Sequence, residues 1–321
     1  MIKLEKLTKI FGSHDHKVIA ANEIDMEVAS GEICVLLGPS GCGKTTTLKM
    51  INRITKPTSG KVYINGEDTS KLGDTELRRN IGYVIQQIGL FPNMTVEENI
   101  CVVPDLLGWP KTRSRQRAKE LLDLVALDPS VFLKRYPTQL SGGEQQRVGV
   151  IRAVAADAPI MLMDEPFGAI DPINRAVIQD EFLKMQRELK KTILFVSHDI
   201  DEAVKMANKI AIFSQGELLQ FATPNDVLAN PVSQFVEDFV GTDRAIKRLK
   251  LFSVAEAMAV PLEPINDQLP AISAASNLTD ASAMLYNSTA EVLRCVDEQK
   301  KTVGYLGHQH ISDFLSQTSQ R

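Results

Sequence analysis

The sequence lacks the features that mark membrane-spanning, secreted and nucleic-acid-binding proteins. No apolar run approaches the ~20 residues needed to cross a bilayer, and the start, MIKLEKLTKIFG, lacks the apolar core of a signal peptide. The four cysteines form no CxxC pair or other metal-ligand spacing. Lys plus Arg (36) nearly balances Asp plus Glu (40), so the basic excess of a sequence-independent nucleic-acid binder is missing. We therefore expect a cytoplasmic protein with reduced thiols and no nucleic-acid partner.

The apolar pattern predicts an α/β fold. The length of 321 residues suggests roughly two domains. Residues 1–30 alternate between apolar and polar, as half-buried strands do. Apolar runs at 33–37, 160–163 and 192–196 are each followed by a polar or glycine-containing turn, which favours a mostly parallel sheet covered by helices. The pattern between about 90 and 158 is helical, and the character of the chain changes after Gly241.

The stretch GPSGCGKTT, residues 38–46, fits the phosphate-loop pattern GxxxxGK[ST]. Its glycines let backbone N–H groups turn inward around phosphate oxygens, and the following helix points its positive end at the same anion. Lys44 is expected to neutralise phosphate charge, and the Thr45 hydroxyl to bind Mg²⁺. We interpret the whole segment as a nucleotide-binding loop formed by Gly38, Pro39, Ser40, Gly41, Cys42, Gly43, Lys44, Thr45 and Thr46.

Two further strands end in residues that suit phosphate chemistry. PIMLMDEP places Asp164 at the end of an apolar run, with Glu165 beside it. Ligands of open α/β sheets bind at the carboxyl ends of the strands. Asp164 is therefore a candidate for holding Mg²⁺, and Glu165 for orienting the attacking water. TILFVSHD places His198 in the same situation, where a contact to the γ-phosphate is its expected role and Glu165 remains the stronger candidate base.

The stretch LSGGEQQR, residues 140–147, predicts a second helix N-terminus. Ser141 and Glu144 have the spacing of a capping box, and a helical pattern follows. Exposed N–H groups at such an end bind anions. A cap alone would explain Ser141 and Glu144, but not the glycine pair Gly142 and Gly143. We therefore expect this segment to grip the γ-phosphate of an ATP bound to a second copy of the chain, as two-fold symmetry permits.

Taken together and in this order, these motifs resemble the nucleotide-binding subunit of ATP-binding cassette (ABC) transporters over about residues 1–240. The resemblance implies a P-loop NTPase cassette, with a mostly parallel sheet plus antiparallel β and helical subdomains. It also implies that Gln86 is the glutamine-loop residue, which is catalytic together with Glu165 and His198 and binds Mg²⁺ with Thr45 and Asp164. Asp171 is expected to end the D-loop GAID, and Phe11 to stack on adenine. The signature reads LSGGE where many members have LSGGQ, and the D-loop reads GAID where SALD is frequent. Neither change removes a phosphate contact from a backbone donor or from Ser141.

The family implies ATP hydrolysis in a head-to-tail homodimer that drives a membrane permease and, through it, works with a solute-binding protein. The expected location is peripheral, on the inner face of the cell membrane. The stretch 164–186 narrows the resemblance to ATPases for uptake of osmoprotectants such as glycine betaine, choline and carnitine. The alternatives are an importer ATPase for another small solute and a soluble ABC ATPase of DNA repair or ribosomes, although no coiled-coil heptads separate the glutamine loop from the signature.

The remaining chain is expected to form a linker at 241–250 and a small α+β domain at 251–321. The stretches SVAEAM, EVLRCVD and KTVGYLGHQHISDFL resemble one degenerate cystathionine-β-synthase-like (CBS) motif, either a structural appendage or a sensor. The four basic residues of the linker suggest a solvated helix, with contact to anionic lipid headgroups as the alternative; they are Arg244, Lys247, Arg248 and Lys250.

Overall fold

The computed structural model describes residues 1–12, 16–85, 89–168, 170–260, 268–288 and 290–319. These residues form two compact units. The first unit contains Met1–Asp199 and Met206–Phe221, and the second contains Ile200–Lys205 and Ala222–Arg321. Within the described ranges, no helix combines the length and apolar character needed to cross a bilayer.

The strands, in chain order, are β1 Ile2–Phe11, β2 Val18–Val28, β3 Ile33–Leu37, β4 Ser59–Ile64, β5 Glu67–Asp68, β6 Ile81–Val84, β7 Ile160–Asp164, β8 Thr192–Val196, β9 Lys209–Ser214, β10 Glu217–Ala222, β11 Ala271–Ser273, β12 Val292–Val296 and β13 Thr302–Gly307. The α-helices are α1 Lys44–Ile51, α2 Asp74–Arg79, α3 Val96–Leu106, α4 Lys111–Leu124, α5 Pro129–Phe132, α6 Gly142–Val154, α7 Pro172–Leu189, α8 Ile200–Met206, α9 Pro224–Ala229, α10 Gln234–Val240, α11 Arg244–Leu249, α12 Val254–Ala257, α13 Leu278–Asn287 and α14 His308–Gln317.

A mostly parallel sheet lies at the centre of the first unit. Its strand order is β10-β9-β3-β8-β7-β6, and the pairs that join β9, β3, β8, β7 and β6 are all parallel. Every residue of β3, β7 and β8 is buried, which confirms that the three apolar runs form interior strands. Helix α1 packs on β7 and β8, and α6 packs on β6.

A second, antiparallel sheet has the order β2-β1-β4-β5. Its buried side chains alternate along β1, where Ile2 and Leu4 face the core, as the alternating pattern of the first 30 residues predicts. The region predicted to be helical, about 90–158, holds α3, α4, α5 and α6. A capping box at Thr95 and Glu98 opens α3.

The second unit contains a small sheet of order β11-β12-β13, parallel at the first pair and antiparallel at the second. Helices α12, α13 and α14 pack with it around a separate apolar core that includes Leu278, Leu293 and Leu306. Residues 241–250, which the sequence predicts as a linker, lie inside this unit and contain α11.

The basic residues of α11 are not all solvated, which corrects the interpretation of this helix as a solvated linker or lipid contact. Arg248 is only 7% exposed. Its Nε donates to Asn225 Oδ1 (3.0 Å) and its Nη1 to Ser319 Oγ (2.9 Å). Its Nη2 donates to the Leu315 carbonyl and to Thr318 Oγ1, both at 3.0 Å. The burial is possible because each guanidinium nitrogen has a partner, and those partners join α9, α11 and the end of α14.

We predict that Arg248→Met destabilises the second unit. The substitution removes four hydrogen bonds from a buried cation, and we expect the free energy of unfolding to fall by about 2–3 kcal/mol. Denaturant unfolding, with proteolysis at the C-terminal residues, measures the change. Lys250→Met is the control, since Lys250 pairs with Asp201 in an exposed salt bridge (2.9 Å) worth about 0–1 kcal/mol. Equal losses for the two variants would contradict the prediction.

Candidate functional site

The loop between β3 and α1 has the backbone of a phosphate cradle. Gly43, the N-cap of α1, has φ 105°, and a Cβ there would lie 2.1 Å from the Ala20 carbonyl oxygen on β2. Gly41 has φ 80°, and a Cβ built on it would meet nothing within 4 Å. Gly43 is therefore required by the fold, whereas Gly41 keeps the mouth of the loop open to an approaching anion.

Lys44 lies across this loop and is 6% exposed. Its Nζ donates to the Gly38 carbonyl oxygen (2.6 Å) and to the Pro39 carbonyl oxygen (2.8 Å). The ammonium is thus held at the centre of the cradle by neutral acceptors. A phosphate bound there would give it charged acceptors, which make stronger hydrogen bonds.

Thr45 and Asp164 form the part of the site that fits magnesium. Asp164 ends β7 and is 5% exposed, and its Oδ1 accepts a hydrogen bond from the Thr45 hydroxyl (2.9 Å). Burial raises the pKa of the Asp164 carboxyl; the Thr45 hydrogen bond and nearby Lys49 oppose this, and the charge of Glu165 adds to it. A hydroxyl and a carboxylate beside a phosphate cradle are the oxygen ligands that Mg²⁺ prefers, so these residues fit the ion. Gln86, the third predicted ligand, lies outside the described residues.

Glu165 and His198 meet at the ends of neighbouring strands. Glu165 follows β7 and has φ 47°, a left-handed conformation that is uncommon for residues other than glycine. Its N–H donates to the Val196 carbonyl oxygen at the end of β8 (3.1 Å). His198 Nδ1 lies 3.8 Å from Glu165 Oε1, and the imidazole is 65% exposed. Two of the three predicted catalytic side chains, Glu165 and His198, are therefore close together; the third, Gln86, lies outside the described residues.

Phe11 lies at the end of β1 with 44% of its surface exposed. It pairs across the strands with Val18, which is 63% exposed, and Lys9 Nζ lies 4.9 Å from the Phe11 ring centroid. Ala20, two residues beyond Val18 on β2, is the residue against which Gly43 packs. The aromatic ring is thus connected to the phosphate loop through β2. The sequence gives no direct sign of Val18, because only the strand register places it opposite Phe11.

The signature segment forms the predicted capping box. Ser141 is the N-cap of α6: its Oγ accepts from Glu144 N–H (3.3 Å), and Glu144 Oε2 accepts from Ser141 N–H (2.7 Å). A Cβ added at Gly142 would meet nothing within 4 Å, and one at Gly143 would meet Ile178 at an ordinary 3.5 Å. The chain's own packing therefore leaves room for a Cβ at both positions, and at Gly142 the helix end is open to an approaching group.

This helix end and Asp171 line one cavity of about 350 Å³. Asp171 is the N-cap of α7: its Oδ1 accepts from Asn174 N–H (3.1 Å) and its Oδ2 from Asn174 Nδ2 (2.8 Å). Among the described residues that line the cavity, none belongs to the phosphate loop. The predicted site residues therefore form two groups, one around Lys44, Asp164, Glu165 and His198, and the other around Ser141 and Asp171.

The sequence motifs do not identify Gln146, which links α6 to the group of residues around Asp164 and Glu165. Gln146 is 4% exposed, and its Nε2 donates to the Pro166 carbonyl oxygen in the turn after Asp164 and Glu165. Its place in LSGGEQQR is visible in the sequence, but its partner is not. Gln146 fixes the signature helix against the strand end that carries the acidic pair.

The first group can bind and hydrolyse a nucleoside triphosphate. Lys44 and the loop N–H groups hold the phosphates, while Thr45 and Asp164 would hold magnesium, which neutralises phosphate charge when bound. Glu165 can accept a proton from water and orient it, and His198 can donate to a phosphate oxygen.

We predict that Lys44→Ala weakens binding of MgATP by about 10- to 100-fold, because the lost charge-assisted hydrogen bonds are worth about 1.5–3 kcal/mol. Isothermal titration of the purified chain measures the affinity. Lys119→Ala, a change of the same kind on the exposed face of α4, is the control and should bind normally. Unchanged affinity in Lys44→Ala would remove the phosphate-loop assignment.

Comparison with known proteins gives the same assignment. The ABC transporter family matches residues 21–168. The osmoprotectant import ATP-binding protein OsmV of Salmonella typhimurium is 55% identical over 95% of this chain and 79% of its own. The glycine betaine/carnitine/choline transport ATP-binding protein OpuCA of Bacillus subtilis is 48% identical over 95% and 78%. A dimeric ATP-binding cassette, solved in a post-hydrolysis state with ADP and Pi, has a TM-score of 0.63 at 34% identity and covers 70% of this chain and 99% of its own. This chain therefore belongs to the ABC transporter family of ATP-binding proteins and is an ATPase.

Proposed function

We propose that this chain hydrolyses ATP to drive import of a quaternary-ammonium osmoprotectant, such as glycine betaine, choline or carnitine, through a separate membrane permease. The observation that carries the solute class is the similarity to a subunit named for osmoprotectant import (55% identity) and to one named for glycine betaine/carnitine/choline transport (48% identity), each over 95% of the chain. The extent of the match matters here, because it includes the second unit as well as the nucleotide-binding motifs.

The active form is a head-to-tail homodimer with ATP between the two chains. The support is the separation of the predicted ligands into two groups, since the cavity at Ser141 and Asp171 is lined by no described residue of the phosphate loop. Of the two glycines of the signature, Gly142 faces open space and Gly143 packs beside Ile178. Under two-fold symmetry, each chain offers this helix end to the nucleotide on the other chain. The similar cassette described as dimeric, with ADP and Pi, supports the same arrangement.

In this arrangement each site residue has a separate role. Phe11 stacks on adenine, the loop from Gly38 to Thr46 binds the phosphates, and Gln86 completes the magnesium ligands. Glu165 is the base, and His198 contacts the γ-phosphate. Ser141, Gly142, Gly143, Glu144 and Asp171 act on the nucleotide of the other chain.

The chain works at the inner face of the cell membrane, attached to its permease and served by a solute-binding protein. The coupling surface lies around Gln86 and the following helical segment. Residues 251–321 act as a single CBS-like domain, and pairing across the homodimer would give it the second copy that such motifs require.

We predict that Glu165→Gln forms a stable dimer in the presence of MgATP. The amide keeps the size of the side chain but cannot accept the proton of water, so turnover falls by about 100-fold or more while binding remains. Light scattering with and without MgATP measures the mass of the complex. Glu188→Gln, an exposed change on α7, is the control and should show no ATP-dependent trapping. A Glu165→Gln chain that stays monomeric at saturating MgATP would contradict the paired arrangement.

We predict that uptake of radiolabelled glycine betaine, choline or carnitine depends on this ATPase. Cells that lack the chain are supplied with the original sequence or with Lys44→Ala, and uptake of each solute is measured beside that of an unrelated amino acid. Affinity purification from gently solubilised membranes identifies the partners in the same cells. We expect a multi-spanning protein to co-purify, and uptake to return only with the original sequence.

The two measurements separate the alternatives. Co-purification of a permease with uptake of a different solute would overturn the solute class but keep the importer. Co-purification of ribosomes or DNA-repair proteins, without a permease, would overturn the transport function and leave the ATPase.

A further inference from the structure

Arg175 joins two segments that carry site residues. It lies in the first turns of α7, where its backbone N–H donates to the Asp171 carbonyl oxygen (2.9 Å). Its side chain returns toward the start of the helix, and Nη2 donates to the Ile170 carbonyl oxygen (2.9 Å). Nη1 lies 3.5 Å from Asp199 Oδ2. One guanidinium therefore holds the loop before α7 and the residue that follows His198.

The first segment faces the cavity assigned to the other chain's nucleotide. Ile170 and Asp171 line it, together with Ser141 and Gly142. Ile170 is itself 4% exposed, so its carbonyl oxygen is held in a packed environment. Any displacement of this loop when a second chain docks would act directly on the Arg175 hydrogen bond.

The second segment carries the imidazole. Asp199 N–H donates to Ser197 Oγ (3.0 Å), so residues 197–199 form a tight turn directly after β8. The His198 ring is 65% exposed, and packing therefore constrains it little. The backbone of this turn sets the position from which the imidazole reaches Glu165, and the ion pair between Asp199 and Arg175 contacts the turn from α7.

We propose that Arg175 is a positioning residue that makes the orientation of His198 depend on docking of the second chain at the loop before α7. The planar guanidinium presents separate N–H groups to the Ile170 carbonyl and to the Asp199 carboxylate, which a single ammonium cannot do in the same geometry. Its remaining Nε–H is buried and has no hydrogen-bond partner among the described residues, so these two contacts fix its position. Arg175 needs no contact with the nucleotide to have this effect. The proposal rests on the paired arrangement given above.

The test measures steady-state hydrolysis by the whole chain in four variants: Arg175→Met, Asp199→Asn, the double variant and Arg187→Met. Arg187 is an exposed arginine of the same helix and is the matched control. We expect Arg175→Met to lower kcat on the order of 10- to 100-fold, as small misplacements of a reacting group do, and to change KM for ATP by less than about 2-fold. Thermal unfolding should shift by less than about 2 °C.

If Arg175 acts through Asp199, the double variant is no slower than the slower single variant, because both substitutions break one link. Arg175→Met combined with Glu165→Gln should still dimerise with MgATP. These results together would support the proposal. An unchanged kcat in Arg175→Met, or losses that multiply in the double variant, would overturn it.

A dimerisation control separates this proposal from the one on which it rests. If Glu165→Gln dimerises and the combination with Arg175→Met does not, Arg175 is a dimer contact and the positioning role is wrong. If Glu165→Gln alone fails to dimerise, the paired arrangement fails, and the dependence of His198 on docking fails with it.

Discussion

The site depends on the register of three buried parallel strands. In the order β3-β8-β7, Leu36 pairs with Val196, and Val196 pairs with Asp164. The strands therefore end at one level, and the phosphate loop, His198 and the acidic pair follow at adjacent positions along one edge. Because side chains alternate with period two, a slip of one residue in either pairing would turn Asp164 away from Thr45. Every residue of the three strands is buried, so the charges at the strand ends are attached to a closely packed core.

The two buried charges at this edge, Lys44 and Asp164, form hydrogen bonds with neutral groups and not with each other. Lys44 donates to carbonyl oxygens of its own loop, and Asp164 accepts from the Thr45 hydroxyl. Each buried charge thus has hydrogen-bond partners, which makes burial tolerable, but those partners are neutral. Burial also raises the pKa of Asp164, which means that its ionised form is less stable here than in water. A cation between Asp164 and Thr45 would stabilise the ionised carboxylate, and an anion at Lys44 would give the ammonium a charged acceptor in place of neutral ones. A magnesium nucleotide supplies both the cation and the anion.

Local sequence patterns predicted most of this architecture, and single long-range partners account for what they missed. The strand, glycine loop and helix around Lys44 are contiguous in sequence, and each capping box spans four residues. Both features can therefore be recognised from a short stretch of sequence. Arg248 illustrates the opposite case. The basic run after Gly241 is typical of a solvated helix, but the hydrogen-bond partners of Arg248 are Asn225 and residues between Leu315 and Ser319. Gln146 is likewise visible as a residue but not as a donor to Pro166. Such contacts depend on tertiary structure, which periodicity and spacing do not encode.

Two glycines, Gly142 and Gly143, begin α6 and line the cavity of the second group of site residues. A Cβ at Gly43 would collide with the Ala20 carbonyl oxygen, whereas a Cβ at Gly142 would meet nothing and one at Gly143 would meet Ile178 at an ordinary contact distance. The anion-binding end of α6 supplies the chemistry, and its cavity beside Asp171 supplies the space. ATP held by another copy of the chain would match both, and in the proposed homodimer hydrolysis would then depend on association of the two chains.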